Sequence, residues 1–232
     1  MTADAIVFEG VRKTFGKVVA VKHVSVRIGP GTFVGLIGHN GAGKSTCLKM
    51  LMGLLRPDEG TVRVSGIDVS ADPVEARKRY GAVPEEPAVY PWLTAREFLS
   101  FVAEVRGEGD VDRALELAGL GGDADRLIRE YSQGMRRRTA LAAALLGKPD
   151  VLVLDEALNG LDPPAAARVK GVLREAVDDG ATVLLSTHVV ETVEAVADRV
   201  VMLAHGEVAS DVETKDLGPG ELERLFLSAL RG

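Results

Sequence analysis

The segment Gly38-His-Asn-Gly-Ala-Gly-Lys-Ser45 limits the possible folds of this chain more than any other. Glycines at 38, 41 and 43 let the backbone wrap closely around an anion, and amides at the start of a following helix point inward. Lys44 supplies a cation, and Ser45 is placed to ligate Mg²⁺. Such a loop works only between a strand and a helix. Both are present: the aliphatic run Phe33 to Ile37 leads in, and a helical pattern from Lys44 to Met52, stopped by Gly53, leads out.

Two further aliphatic runs, Val151 to Leu154 and Thr182 to Leu185, are rich in β-branched residues and bounded by Gly, Pro or Asp. They read as strands buried on both faces of a parallel sheet. Helical patterns follow them, Pro164 to Val177 and Val189 to Ala197, the second leading to another strand, Arg199 to Leu203. Ile6 to Val11, Val24 to Ile28 and Thr61 to Val64 read as shorter strands of an antiparallel sheet flanking the main one. Between Pro91 and Gly147 the pattern turns helical, through Thr94 to Val105, Val111 to Ala118 and Gln133 to Leu146. The expectation is an α/β fold in one domain over 1–232. Its core comprises 1–90 and 148–232, and a helical subdomain occupies 91–147.

A chain of 232 residues with 46% hydrophobic composition can bury a core without covalent staples. Cys47 is the single cysteine, so no disulfide framework exists, which fits a reducing compartment such as the cytosol. The residues from Met1 to Ala5 carry no apolar run of signal length, and stretches such as Ala140 to Leu146 are far shorter than a membrane span. The net charge of −6 is spread along the chain, leaving no electrostatic footprint for nucleic acid or anionic lipid. A soluble chain with no nucleic-acid partner is expected.

The run Val151-Leu-Val-Leu-Asp155-Glu156 delivers two carboxylates to the sheet edge where the phosphate loop also sits. Asp155 would hold Mg²⁺ through water. Glu156 would polarise a water attacking a γ-phosphate, a general-base task that contributes about 10²- to 10⁴-fold in rate. Acids at strand ends are more often turn formers, so the weight comes from the pairing with the loop. His188, in Ser186-Thr-His188, again follows a buried strand and can contact a γ-phosphate oxygen or orient the water, although a lone histidine is more often a cap or core residue.

Together these motifs resemble the nucleotide-binding subunits of ABC transporters over essentially Ile6 to Gly232. The resemblance implies a P-loop NTPase fold. It also implies that Gly38, His39, Asn40, Gly41, Ala42, Gly43, Lys44, Ser45 and Thr46 bind ATP, with Lys44 catalytic as well. Val151 to Asp155 is then the Walker B strand, Glu156 the catalytic glutamate and His188 the switch histidine. Phe15, in Lys-Thr-Phe-Gly, matches the aromatic that stacks on adenine; a core residue at a strand end is the other reading. Tyr131-Ser-Gln-Gly-Met135 stands where the signature motif does, Ser132 and Gly134 matching it, and Ser132 also reads as a helix N-cap. In the family that helix end closes on ATP held by the opposite subunit, so two sites form in a head-to-tail dimer. Asn159-Gly-Leu-Asp162 matches the loop crossing between them.

Some positions depart from the common pattern. Glu85, in Val83-Pro-Glu85-Glu86, stands where most members have glutamine, and it can still approach Mg²⁺ while adding negative charge beside Asp155 and Glu156. Gln133, Met135 and Ala157 also differ. Pro-Glu-Glu-Pro with Tyr-Ser-x-Gly-Met is similar to the exporter branch linked to drug resistance, sodium extrusion and ABC-2-type permeases. Members of that branch often carry a longer C-terminal extension, whereas here a short amphipathic helix, Glu221 to Leu230, is expected to pack on the core. Arg136-Arg-Arg138 reads as a solvated charged face. Trp92 lies where family members receive a permease helix, or is a core residue.

The implied function is an ATPase of two subunits, identical or not, that uses ATP and Mg²⁺ to power export through a separate membrane permease. It would sit peripherally on the inner face of the cell membrane. A soluble ABC ATPase remodelling ribosomes or nucleic acid, and a P-loop kinase, are the competing readings.

Overall fold

The computed structural model describes residues 4–218 and 220–229. Its strands are β1 (Ile6–Phe15), β2 (Val18–Ile28), β3 (Phe33–Ile37), β4 (Glu59–Val64), β5 (Ile67–Asp68), β6 (Tyr80–Val83), β7 (Val151–Asp155), β8 (Thr182–Thr187), β9 (Arg199–Ala204) and β10 (Glu207–Glu213). Its helices are α1 (Lys44–Leu51), α2 (Pro73–Lys78), α3 (Ala95–Arg106), α4 (Val111–Ala118), α5 (Gln133–Leu145), α6 (Pro163–Asp178), α7 (Val190–Glu194) and α8 (Glu221–Ala229).

The strands join in the order β5-β4-β1-β2-β10-β9-β3-β8-β7-β6. From β9 through β3, β8 and β7 to β6 they run parallel, and β5, β4, β1 and β2 pair antiparallel. The two regions meet where Glu207 of β10 bridges His23 of β2. This is the expected α/β arrangement with its antiparallel flank. β3, β7 and β8 are buried along their whole length, which is why each reads as an unbroken aliphatic run.

Two cores cover the two faces of the sheet. Leu48, Met50 and Leu51 of α1 pack with Ile6, Val26, Val34 and Val153 on one face. Leu141 of α5, Leu173 of α6, Val193 of α7 and Leu222 of α8 pack with Leu152, Leu154 and Leu185 on the other. Truncating a fully buried leucine such as Leu154 to alanine costs about 2–5 kcal/mol. The last helix docks as expected, with Leu225 and Phe226 beside Leu222; Leu230 lies outside the described residues.

Helices α3, α4 and α5 also enclose a third core, built on Phe98, Leu99, Leu115, Ile128 and Tyr131. Local chemistry sets their starts. Thr94 and Glu97 form a reciprocal cap at α3, and the Asp110 carboxylate accepts from the Arg113 amide at α4. Four elements depart from expectation. The strands β5, β6 and β10 and the helix α2 are not legible as such in the sequence, being short or, for β10, exposed at every other residue.

Candidate functional site

The register of the parallel strands decides what meets at the sheet edge. Ile37 pairs with Thr187, Asp155 with Ser186, and Val83 with Leu154. Whatever follows each strand is therefore delivered to the same C-terminal edge. These segments are the loop after Ile37, the pair Asp155–Glu156, His188, and Glu85 two residues beyond β6.

The loop between β3 and α1 is shaped by its glycines. Gly43 adopts φ +107°, and a Cβ there would stand 2.7 Å from the Ala20 carbonyl oxygen. A Cβ on Gly38 would stand 2.4 Å from the carbonyl oxygen of Leu203. The chain thus turns tightly enough to enclose the Lys44 ammonium, which donates to the carbonyls of Gly38 at 2.7 Å and His39 at 3.3 Å. Burial pushes the Lys44 pKa down, and the charges of Glu156, Asp155 and Glu85 oppose that shift. Its acceptors are neutral carbonyls, so the cation is not consumed by a direct carboxylate bond and is free to meet a phosphate. Asn40 and Gly41 are exposed at the tip, whereas Ala42 is buried and Ser45 and Thr46 are half-buried at the helix start.

Ser45 Oγ donates to Asp155 Oδ1 at 3.3 Å, and Ser186 Oγ donates to the same oxygen. A hydroxyl beside a carboxylate is a hard-oxygen pair that suits Mg²⁺, an ion that keeps water and substrate phosphates as most of its ligands. Among the described residues no group of three or more His, Cys, Asp or Glu could hold a metal. In the sequence Ser186 stands out only as a neighbour of His188. Its bond to Asp155 follows from strand pairing, which no local motif reveals.

Glu156 has left-handed backbone geometry, φ +50°, although it carries a full side chain. Such a conformation costs about 1–3 kcal/mol and persists where the surroundings over-determine it. Here they do. The Glu156 amide donates to the Ser186 carbonyl at 3.1 Å, Oε2 accepts from Asn159 Nδ2 at 2.8 Å, and Oε1 lies 3.0 Å from His188 Nδ1. The carboxylate is buried and held from two sides, while His188 is half exposed. His188 thus meets the Glu156 carboxylate. Glu85 and Glu86 are both exposed on the loop after β6.

Ser132 caps α5, its Oγ accepting from the Met135 amide at 3.2 Å. Gly134 faces Leu161 and the Gly160 carbonyl, so the start of α5 lies against the turn after Glu156. Asp162 closes that turn by accepting from the Ala165 amide at 2.8 Å, capping α6. The structure brings Lys44, Ser45, Asp155, Glu156 and His188 together; neither Ser132 nor Gly134 hydrogen-bonds to the phosphate loop among the described residues.

Three places in the chain correct or decide what the sequence leads one to expect. Phe15 is 50% exposed and Trp92 69% exposed, so neither is a core residue. The run Arg136-Arg-Arg138 is not a solvated face. Arg137 is buried, Arg136 donates to the carbonyls of Ile128 and Arg129, and Arg138 donates to those of Ala118 and Gly119 at the end of α4. Exposed backbone carbonyls at the ends of neighbouring helices and turns make cations worth burying there.

The family model for ABC transporters matches residues 21–159, more than half of the chain. The chain belongs to the ABC transporter family. It is an ATP-binding subunit of that family and an ATPase. Among its relatives is the daunorubicin/doxorubicin resistance ATP-binding protein DrrA of Streptomyces peucetius, 39% identical over 219 residues, covering 92% of this chain and 66% of that protein. Nod factor export ATP-binding protein I of Rhizobium etli is 38% identical over 223 residues, covering 94% of this chain and 71% of that protein. This ABC subunit thus spans about two thirds of the length of such curated relatives. A solved ATP-binding subunit of an ABC transporter superposes with a TM-score of 0.90 at 27% identity, over 97% of this chain and 99% of that one. An ATP-binding cassette in a dimeric post-hydrolysis state, bound to ADP and phosphate, superposes with a TM-score of 0.80 at 27% identity, over 90% of this chain and 98% of that one. Among the described residues no helix is long and apolar enough to cross a membrane.

Proposed function

We propose that this ATPase works as a head-to-tail pair around two ATP molecules and drives export through a separate membrane permease. The observation that carries the hydrolytic part is the Glu156 carboxylate, buried and oriented by His188 and Asn159 at the edge where Lys44 and Ser45 stand.

In this reading the backbone of 38–46 and Lys44 bind the phosphates of ATP, and exposed Phe15 stacks on adenine. Ser45 and Asp155 would hold Mg²⁺, with Glu85 near it; when bound, the ion neutralises phosphate charge. Glu156 Oε orients a water and takes its proton, and His188 holds that carboxylate in place. Lys44, already buried, supplies fixed positive charge where negative charge builds up.

The second subunit is called for by Ser132 and Gly134. A helix N-terminus with one capped amide offers the remaining amides to an anion, yet this one lies against the turn at 160–161 and not against its own phosphate loop. A dimeric neighbour holding ADP and phosphate supports the same assembly.

A permease surface is supported by the stretch that follows Glu85. Tyr90, Trp92, Phe101 and Val105 are all exposed, Tyr90 lying edge-on to Phe98 and Phe101. Exposed apolar patches of this kind mark interaction sites. The names of the resistance and export relatives support outward transport, and attachment to the inner face of the membrane follows from the permease.

Light scattering on the Glu156→Gln protein tests the assembly. The expected mass is that of a monomer without nucleotide and of a dimer with ATP and Mg²⁺. An unchanged monomer mass at saturating ATP contradicts the composite site.

A further inference from the structure

Arg137 is one of the few buried charges among the described residues, only 9% exposed. Its hydrogen bonds go to backbone carbonyls from two separate loops. Nη1 donates to the Glu156 carbonyl at 3.1 Å and to the Asn159 carbonyl, and Nη2 donates to the Glu85 carbonyl at 3.4 Å. Nε is buried without a partner among the described residues. Desolvating a guanidinium and leaving one donor unmet is unfavourable, so its surroundings must hold it there.

Two of its acceptors lie on the turn that carries the Glu156 carboxylate. Glu156 and Asn159 close that turn through the Asn159 amide, which donates to the Glu156 carbonyl at 3.1 Å, and the Asn159 side chain grips Oε2 of Glu156 at 2.8 Å. One guanidinium nitrogen bonds the carbonyls at both ends of the turn. The left-handed backbone of Glu156, at φ +50°, sets where its carbonyl points, and Arg137 stands at that point. Arg137 itself sits on α5, whose start is capped by Ser132, and its other arm reaches the loop carrying Glu85.

We propose that Arg137 is a positioning residue for hydrolysis: it locks the 156–159 turn and the Glu85 loop onto α5, so that Glu156 is aimed only while α5 is seated on them. The inference rests on Glu156 acting as the base. The hydrogen bonds of Arg137 go to backbone carbonyls and to no side chain proposed to hold ATP or Mg²⁺. Its loss therefore lowers the rate of hydrolysis and leaves ATP affinity almost unchanged.

The experiment is a double-mutant cycle between Arg137→Met and Glu156→Gln, with kcat, KM and ATP affinity measured for each, and thermal unfolding recorded to confirm folding. Methionine keeps much of the buried volume while removing the donors. Wild-type hydrolysis that collapses in Glu156→Gln secures the base reading independently. Given that, Arg137→Met is expected to lower kcat at least tenfold with KM and ATP affinity within threefold. In the Glu156→Gln background the same change is expected to lower the residual rate less than twofold, since nothing remains to be aimed. Arg137→Lys, which retains the cation but fewer donors, is expected to fold and to give an intermediate kcat with an unchanged KM, and it carries the test if the methionine variant does not fold. Wild-type kcat in a folded methionine or lysine variant, a loss falling on ATP affinity, or an equal further loss in the Glu156→Gln background overturns the proposal.

Discussion

The Nδ1 atom of His188 stands 3.0 Å from Oε1 of Glu156. The ring is half exposed while the carboxylate is buried, so the histidine reaches in from the solvent side and fixes the direction in which Glu156 points. An oriented hydrogen bond to a charged group is worth about 1.5–3 kcal/mol. His188→Ala is therefore expected to lower kcat roughly 10- to 100-fold, at about tenfold per 1.36 kcal/mol. Equilibrium binding of a fluorescent ATP analogue should stay within a fewfold of wild type. A variant that loses binding and retains kcat would place His188 on the nucleotide instead.

Glu85 carries a charge that acts on Lys44 together with those of Asp155 and Glu156. Like charges in one site favour whatever cation neutralises them. Glu85→Gln is expected to shift the Mg²⁺ concentration for half-maximal ATPase activity, and Glu86→Gln, on the same exposed loop, is expected not to. Identical Mg²⁺ titrations for the two variants and wild type would take Glu85 out of the metal site and leave it a solvated turn acid.

The parts of the fold with strong periodicity are legible in the amino-acid sequence. β3, β7 and β8 are buried on both faces and so appear as unbroken aliphatic runs, and α4 begins and ends where its pattern does. β6 escapes because Tyr-Gly-Ala-Val is four residues long and includes a glycine. Segments that make up the candidate site are recognisable singly; that they stand together depends on register, such as Asp155 opposite Ser186. Arg137 departs from its local pattern for a physical reason. A run of three arginines has the pattern of a solvated face, and nothing local shows that backbone carbonyls of Glu85, Glu156 and Asn159 converge on the middle one.

Phe15 offers half of its surface to solvent with the Lys13 ammonium 5.8 Å from its ring centroid. Stacking of an aromatic on another ring contributes about 0.5–1.5 kcal/mol. Phe15→Ala is expected to raise KM for ATP about two- to tenfold by that stacking energy, with kcat little changed and Phe15→Tyr restoring wild-type behaviour. Because the side chain is not in the core, thermal stability should change little, within roughly 0.5 kcal/mol. Unchanged KM with a large loss of stability would reverse the assignment and make Phe15 a packing residue.

The proposed hydrolytic role of Glu156 rests on a carboxylate held by both His188 and Asn159. Steady-state ATP hydrolysis by wild type and Glu156→Gln, with ATP binding measured on the same preparations, tests it most directly. The amide keeps the shape of the side chain and can no longer take a proton. Removing a general base is expected to lower turnover about 10²-fold or more while ATP binding is retained. Hydrolysis by Glu156→Gln within a fewfold of wild type would contradict the account.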